Sequence, residues 1–131
     1  MGVIVNSWLL LAAAAAISNL PGPMADGGGD IAHGQIVYEE RCEGCHALDA
    51  NRVGPAHRGV YGRRAGTAVG YDYSPGLMRS RIVWTGVNLD RWLSDPRAIV
   101  PKTRMAFRLS DPQARADVIA YLRAQSPPAS K

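Results

Sequence analysis

The sequence predicts an all-α domain, several helices joined by long loops, and three observations carry that reading. Leu89, Trp92 and Leu93 recur at i, i+3, i+4 spacing, which puts one apolar face on a helix. Helix-opening chemistry stands at Asp30, at Ser74-Pro75 and at Ser110-Asp111-Pro112-Gln113. From Ala47 to Tyr73 glycine, proline and polar residues dominate, with none of the sustained alternation a strand needs. With 131 residues and no internal repeat, the chain is the size of one domain.

Its first stretch reads as a targeting segment. No charged side chain occurs from Val3 to Leu20, and Trp8-Leu9-Leu10-Leu11, five alanines and Ile17 form an apolar run of signal-peptide length. Pro21 and Pro23 end it, and Pro23-Met24-Ala25 offers a small-residue cleavage site before Asp26. Residues 1–25 are therefore expected to be a signal peptide. An uncleaved anchor is the rival, since Met1 to Leu20 is nearly long enough to span a bilayer. Asn6, Ser7 and the alanines make the segment weakly hydrophobic, which favours cleavage. Either way the folded part, residues 26–125, is expected outside the cytoplasm, in the periplasm, with 126–131 as a fraying tail.

After Gly27-Gly28-Gly29, Asp30 caps a helix running to about Arg41, with Ile31, Val37 and Tyr38 as apolar members. Gly34 in its middle costs roughly 1 kcal/mol relative to alanine, so it implies close approach of another backbone. His33 reads as a solvated helix residue, not a ligand. Ser74-Pro75 opens a short helix carrying Leu77 and Met78, where Met78 is expected to pack in the core. The helix of Leu89, Trp92 and Leu93 starts around Thr85 to Asn88 and stops before Pro96. The last helix bears Val118, Ile119, Tyr121 and Leu122.

The stretch between the first two helices carries the chemistry. Cys42-Glu43-Gly44-Cys45-His46 is a C-x-x-C-H run, the attachment pattern of c-type haem: each porphyrin vinyl group takes a thiol and the iron takes the imidazole. Residues three apart share a face of one helical turn, so both thiols reach adjacent edges of one ring. A thioredoxin-like dithiol needs alternating strands and helices, which are lacking here. A zinc site of Cys42, Cys45, His46 and His57 would have awkward geometry, because Cys45 and His46 are adjacent. A large apolar cofactor also accounts for the long loop from Ala47 to Tyr73, whose side chains could pack on it.

Taken together, these segments resemble the class I c-type cytochromes, in particular the small bacterial proteins closest to mitochondrial cytochrome c. The likeness runs from Gly34 to Leu122 through Cys42 to His46, Gly54-Pro55, Gly62-Arg63, Gly70-Tyr71-Asp72-Tyr73, Trp84, Pro101 to Phe107 and Asp117 to Leu122. The link from His46 to Pro55 is shorter than the mitochondrial one, as in many bacterial members. The resemblance implies a cytochrome c fold around one covalent haem c, with His46 and Met105 as axial ligands. Elimination agrees on Met105: Met1 and Met24 lie in the expected signal, Met78 lies on a short helix, and Met105 lies in a loop bounded by Pro101. The resemblance further implies the Pro55 carbonyl as acceptor for His46, and Arg63, Tyr73 and Trp84 as donors to the haem propionates. Gly34 and Tyr121 match the positions where first and last helices cross. Trp92 stands against the haem where the family usually has a tyrosine that hydrogen-bonds the methionine sulfur.

Histidine and methionine together leave no open iron site and raise the potential, which implies one-electron transfer and no substrate turnover. The formal charge is +4. An exported protein without a basic-aromatic motif points away from nucleic acid and towards acidic protein surfaces. Arg97, Lys102, Arg104 and Arg108 surround Met105 with no acidic residue between Arg97 and Arg108, and are the expected docking patch. The expected protein is a monomeric carrier serving a cytochrome bc complex, terminal oxidase, reaction centre or dehydrogenase. A haem subunit of a periplasmic dehydrogenase or oxidase, and a gas-binding haem sensor, are the alternatives.

Overall fold

Two helices from opposite ends of the chain, α1 (Ile31–Arg41) and α5 (Pro112–Ala124), cross at Gly34. A Cβ there would sit 2.0 Å from the Asp117 carbonyl oxygen and 3.0 Å from the Tyr121 Cβ, so only hydrogen lets the backbones meet. This is a computed structural model, and it describes residues 28–128. The expected signal peptide, Met1 to Ala25, and the end of the expected tail lie outside those residues.

Local chemistry sets the helix starts. The Asp30 carboxylate accepts from His33 N–H at 2.9 Å and opens α1, and Asp111 accepts from Gln113 N–H at 2.9 Å and opens α5. Between them lie α2 (Pro75–Arg79), capped by Ser74, α3 (Gly86–Ser94), capped by Thr85, and α4 (Pro96–Ile99), capped by Asp95. The core joins Val37 and Tyr38 of α1, Leu89, Trp92 and Leu93 of α3, and Val118, Tyr121 and Leu122 of α5. Residues 47–73 form neither helix nor strand, and Arg64 pairs with Val83 as an isolated antiparallel bridge.

Two expectations, on Met78 and Ser126, need correction, and one on Pro96 needs an addition. Met78 is 59% exposed, whereas its neighbour Leu77 is buried. A five-residue helix is little more than one turn, so one residue takes the inward face and the next points out. α3 stops before Pro96 as expected, but Pro96, with Asp95 as cap, also starts the unforeseen α4, which holds Arg97. Ser126, assigned to the tail, is tied down. Its hydroxyl accepts from Tyr61 N–H at 3.1 Å and donates to the Leu122 carbonyl at 2.9 Å.

The α1–α5 crossing also carries a buried carboxylate. Asp117 Oδ1 accepts from Asp30 N–H and Gln113 Nε2, both at 2.8 Å, and its Oδ2 lies 2.6 Å from His33 Nδ1. His33 is solvated as expected, with 54% of its side chain exposed, yet it is paired. The hydrogen bond to Asp117 raises the His33 pKa. Burial would raise that of Asp117, but the Asp30, His33 and Gln113 donors outweigh it and hold it below the ordinary carboxylate value.

Candidate functional site

The chain leaving α1 keeps turning for one more helical turn: Cys45 N–H and His46 N–H both donate to the Cys42 carbonyl, at 3.1 and 2.9 Å. That turn brings Cys42, Cys45 and His46 to the wall of one cleft. The loop after α4 brings Met105 to the same cleft, and α3 and α5 contribute Leu89, Trp92, Val118 and Leu122. The helical faces that read as core in the sequence thus pack partly on this space.

The His46 ring is held tightly. Its Nδ1–H donates to the Pro55 carbonyl at 2.9 Å, which leaves Nε2 with its lone pair free to bind a metal. Gly54 lies against its edge, where a Cβ would come within 2.1 Å of Cε1, so a side chain at 54 would displace the ring. Burial pulls the imidazole below its ordinary pKa, opposed by the bond to Pro55, and keeps it in the neutral form a ligand needs.

Met105 is held as well. Its Sδ accepts from Trp92 Nε1–H at 3.2 Å. The departure from tyrosine at position 92 therefore does not leave the sulfur bare: the indole N–H donates to it. Trp92 packs in turn on Trp84, with centroids 5.1 Å apart, and both are buried on the cleft wall.

Arg63 and Tyr73 also line the cleft. Arg63 gives its terminal nitrogens to the carbonyls of Arg58 and Ala56, at 3.3 and 3.1 Å, while its buried Nε–H has no partner among the described residues. The Tyr73 hydroxyl oxygen accepts from Ala68 N–H at 3.1 Å, so its own proton is left to donate. An unpartnered buried guanidinium donor and a hydroxyl proton on the wall of one cleft suit a carboxylate ligand. Two thiols on one turn, an imidazole, a thioether and this anion-seeking pair fit haem c.

The rival chemistries do not fit. Burial pushes the Cys42 thiol up to about 11, the reverse of what a nucleophilic dithiol requires. Among the described residues, no group of three or more His, Cys, Asp or Glu converges as a metal site would need. His57 stacks face to face on His46, with centroids 3.9 Å apart and planes 16° from parallel, so the two rings cannot aim their lone pairs at one tetrahedral ion. Sequence reasoning used His57 only as a nominal zinc ligand and missed this stacking.

The basic patch is weaker than its sequence suggests. Arg108 pairs with Asp95 at 2.7 Å, and Arg104 donates to the Asp72 carbonyl at 2.6 Å and lies 3.6 Å from that carboxylate. The run from Arg97 to Arg108 holds no acidic residue, but the fold brings two to it from outside. Arg97 and Lys102 make no ion pair among the described residues.

The sequence model of the family described as Cytochrome c matches residues 31–126. The chain is 42% identical over 110 residues to cytochrome c2 of Rhodopseudomonas palustris, covering 71% of this chain and 96% of that protein. It is 40% identical to cytochrome c 2.1 of Caenorhabditis elegans, over 75% of this chain and 91% of that one. Among solved structures, cytochrome cH from Methylobacterium extorquens is similar with a TM-score of 0.70 and 42% identity, over 73% of this chain and 99% of that chain. Cytochrome c2 from Rhodospirillum centenum is similar with a TM-score of 0.70 and 39% identity, over 76% and 100%.

Proposed function

This chain belongs to the cytochrome c family, and from that premise we propose that it is a monohaem carrier moving single electrons between larger redox proteins of the periplasm. Haem c, attached through Cys42 and Cys45, supplies the one-electron chemistry when bound. The polypeptide supplies position and environment. Pro55 orients the His46 imidazole, Trp92 engages the Met105 sulfur, and Arg63 and Tyr73 offer donors to the propionates.

One observation carries the choice of a carrier over a gas sensor: both prospective axial donors line the same cleft and each is already held by another group. A thioether tied to an indole N–H is not easily displaced by a diatomic ligand. The periplasmic assignment rests on the uncharged segment from Val3 to Leu20, together with relatives named cytochrome c2. Among the described residues no helix is long and apolar enough to cross a membrane. Partners with acidic surfaces suit the exposed Arg97 and Lys102, since opposite charge steers transient docking.

The test uses the mature protein made in a host that attaches haem. It should weigh one haem more than its polypeptide, and the haem should resist acid-acetone extraction. The ferric form should show the near-infrared sulfur-to-iron band, and the ferrous form should bind carbon monoxide slowly or not at all. Met105→Ala should abolish the band and open the iron to carbon monoxide. A wild type that binds carbon monoxide readily and lacks the band would replace the carrier with the sensor.

A further inference from the structure

The third contact on the His46 ring, made by His57, has no part in the scheme above. An aliphatic side chain would fill the same space without bringing two polar nitrogens into an enclosed site. Instead a second imidazole lies flat on the first, with centroids 3.9 Å apart. Its Nδ1 is 3.2 Å from the Tyr38 hydroxyl oxygen. Its backbone N–H donates to the Ala47 carbonyl at 3.0 Å, tying it to the residue that follows His46. Tyr38 is fully buried, edge-on to His57 at 5.6 Å and tilted against Tyr121 at 5.3 Å. A continuous line of rings therefore runs from the α1–α5 crossing through Tyr121, Tyr38 and His57 to His46.

A flat ring with one nitrogen hydrogen-bonded resists rotation, which a leucine side chain could not impose on its neighbour. The Pro55 carbonyl fixes where the His46 Nδ1–H points, but a single hydrogen bond tolerates a range of ring tilts. A face-to-face partner narrows that range. We propose that His57 is a positioning residue for His46: stacked on it and held by the Tyr38 hydroxyl, it sets the plane in which the His46 imidazole stands and so tunes the iron that this imidazole ligates.

The proposal rests on the reading of His46 as a haem ligand. The plane of an axial imidazole governs how unpaired spin spreads over the porphyrin of a low-spin ferric haem, so the four haem-methyl proton resonances report it directly.

The experiment compares wild type, His57→Leu and Tyr38→Phe as ferric holoproteins by proton NMR, with the reduction potential measured on each. Wild type must first show covalent haem and a c-type optical spectrum; failure there defeats the haem reading and leaves positioning aside. Given that, His57→Leu should change the spread and order of the methyl resonances and shift the potential. Tyr38→Phe keeps the ring but frees His57 to rotate, and should move the resonances the same way by less. If His57→Leu lowers the melting temperature but leaves methyl resonances and potential unchanged, the ring is a space filler and the proposal is overturned. Should His57→Leu fail to yield holoprotein, Tyr38→Phe decides alone, and unchanged resonances in it overturn the proposal.

Discussion

Replacing Gly34 with alanine tests the helix crossing, because two effects of opposite sign meet there. Alanine is the better helix former by about 1 kcal/mol, so a glycine that was merely tolerated would give a stabilised variant. The structure argues the reverse. The new Cβ would stand 2.0 Å from the Asp117 oxygen and 2.5 Å from its carbonyl carbon, backbone atoms that cannot rotate away. Reaching ordinary contact at about 3.4 Å needs α1 and α5 to part by roughly 1.4 Å, and overpacking of this kind costs about 1–3 kcal/mol or more. Separation also stretches the bonds from Asp30 and His33 to Asp117, each worth about 1 kcal/mol net. After deducting the helix-propensity gain, Gly34→Ala should lose about 1–4 kcal/mol. Urea unfolding of the ferric holoprotein reads this as a lower midpoint at unchanged slope. Gly44→Ala is the control, since a Cβ there meets nothing within 4 Å. A midpoint for Gly34→Ala equal to or above wild type would refute the account of the crossing.

Other perturbations have equally definite outcomes. Trp92→Phe removes the N–H that withdraws density from the Met105 sulfur, so the ferric state gains and the potential should fall in a voltammetric titration; an unchanged potential would mean the 3.2 Å contact is electrically idle. The His33–Asp117 pair makes the melting temperature depend on pH from both sides. The raised His33 pKa means its contribution is complete below the ordinary value of 6.5 and fades as pH climbs through the folded pKa, whereas the lowered Asp117 pKa means its contribution is complete above 3.8 and is lost as pH falls through the folded one. The pair should therefore stabilise most between those values, and His33→Gln should flatten the alkaline decline in a series of thermal melts. Met78→Leu should leave both spectrum and stability within about 0.5 kcal/mol of wild type, because the side chain is solvated. Electron-transfer rates with an acidic partner should fall with ionic strength, as the Debye length shrinks to about 8 Å at 0.15 M, and Asp95→Asn, which unmasks Arg108, should raise the low-salt rate.

What was legible in the sequence is what is local in it. Asp30 and Ser74 cap helices through bonds to amides three residues away, so their identities predict those starts directly, whereas in Ser110-Asp111-Pro112-Gln113 the cap is Asp111 and not the Ser110 of a capping box, because the proline takes the first helical position. Cys42, Cys45 and His46 share one helical turn, and their spacing alone names the chemistry. Gly34 announced a close approach by its cost, and its family position supplied the partner helix. The short helix α4 was missed although Asp95-Pro96 repeats the cap-and-proline signature of Ser74-Pro75, because a proline after α3 was taken only as a stop. The placing of Met78 failed for a different reason: five residues show no period from which an inward face could be deduced. Arg104 meets Asp72 across a separation of 32 residues, a distance over which no local pattern operates.

The same division of local from distant separates holding the cofactor from tuning it. On the proposed reading, a pentapeptide attaches the haem and a methionine in a loop ligates its iron, all readable in linear order. The surroundings of those ligands are built from contacts between segments far apart or differently folded: the indole of α3 on the sulfur of the following loop, the imidazole of the 47–73 loop on the imidazole ending the first helical segment, and a cleft-lining guanidinium whose buried Nε–H has no partner among the described residues. A substitution at Cys42 or Cys45 should therefore decide whether haem is retained, whereas one at Trp92, His57 or Arg63 should leave it in place and move its potential. Two members of this family with identical attachment motifs can differ in driving force for this reason, since the groups that set it lie outside the motif.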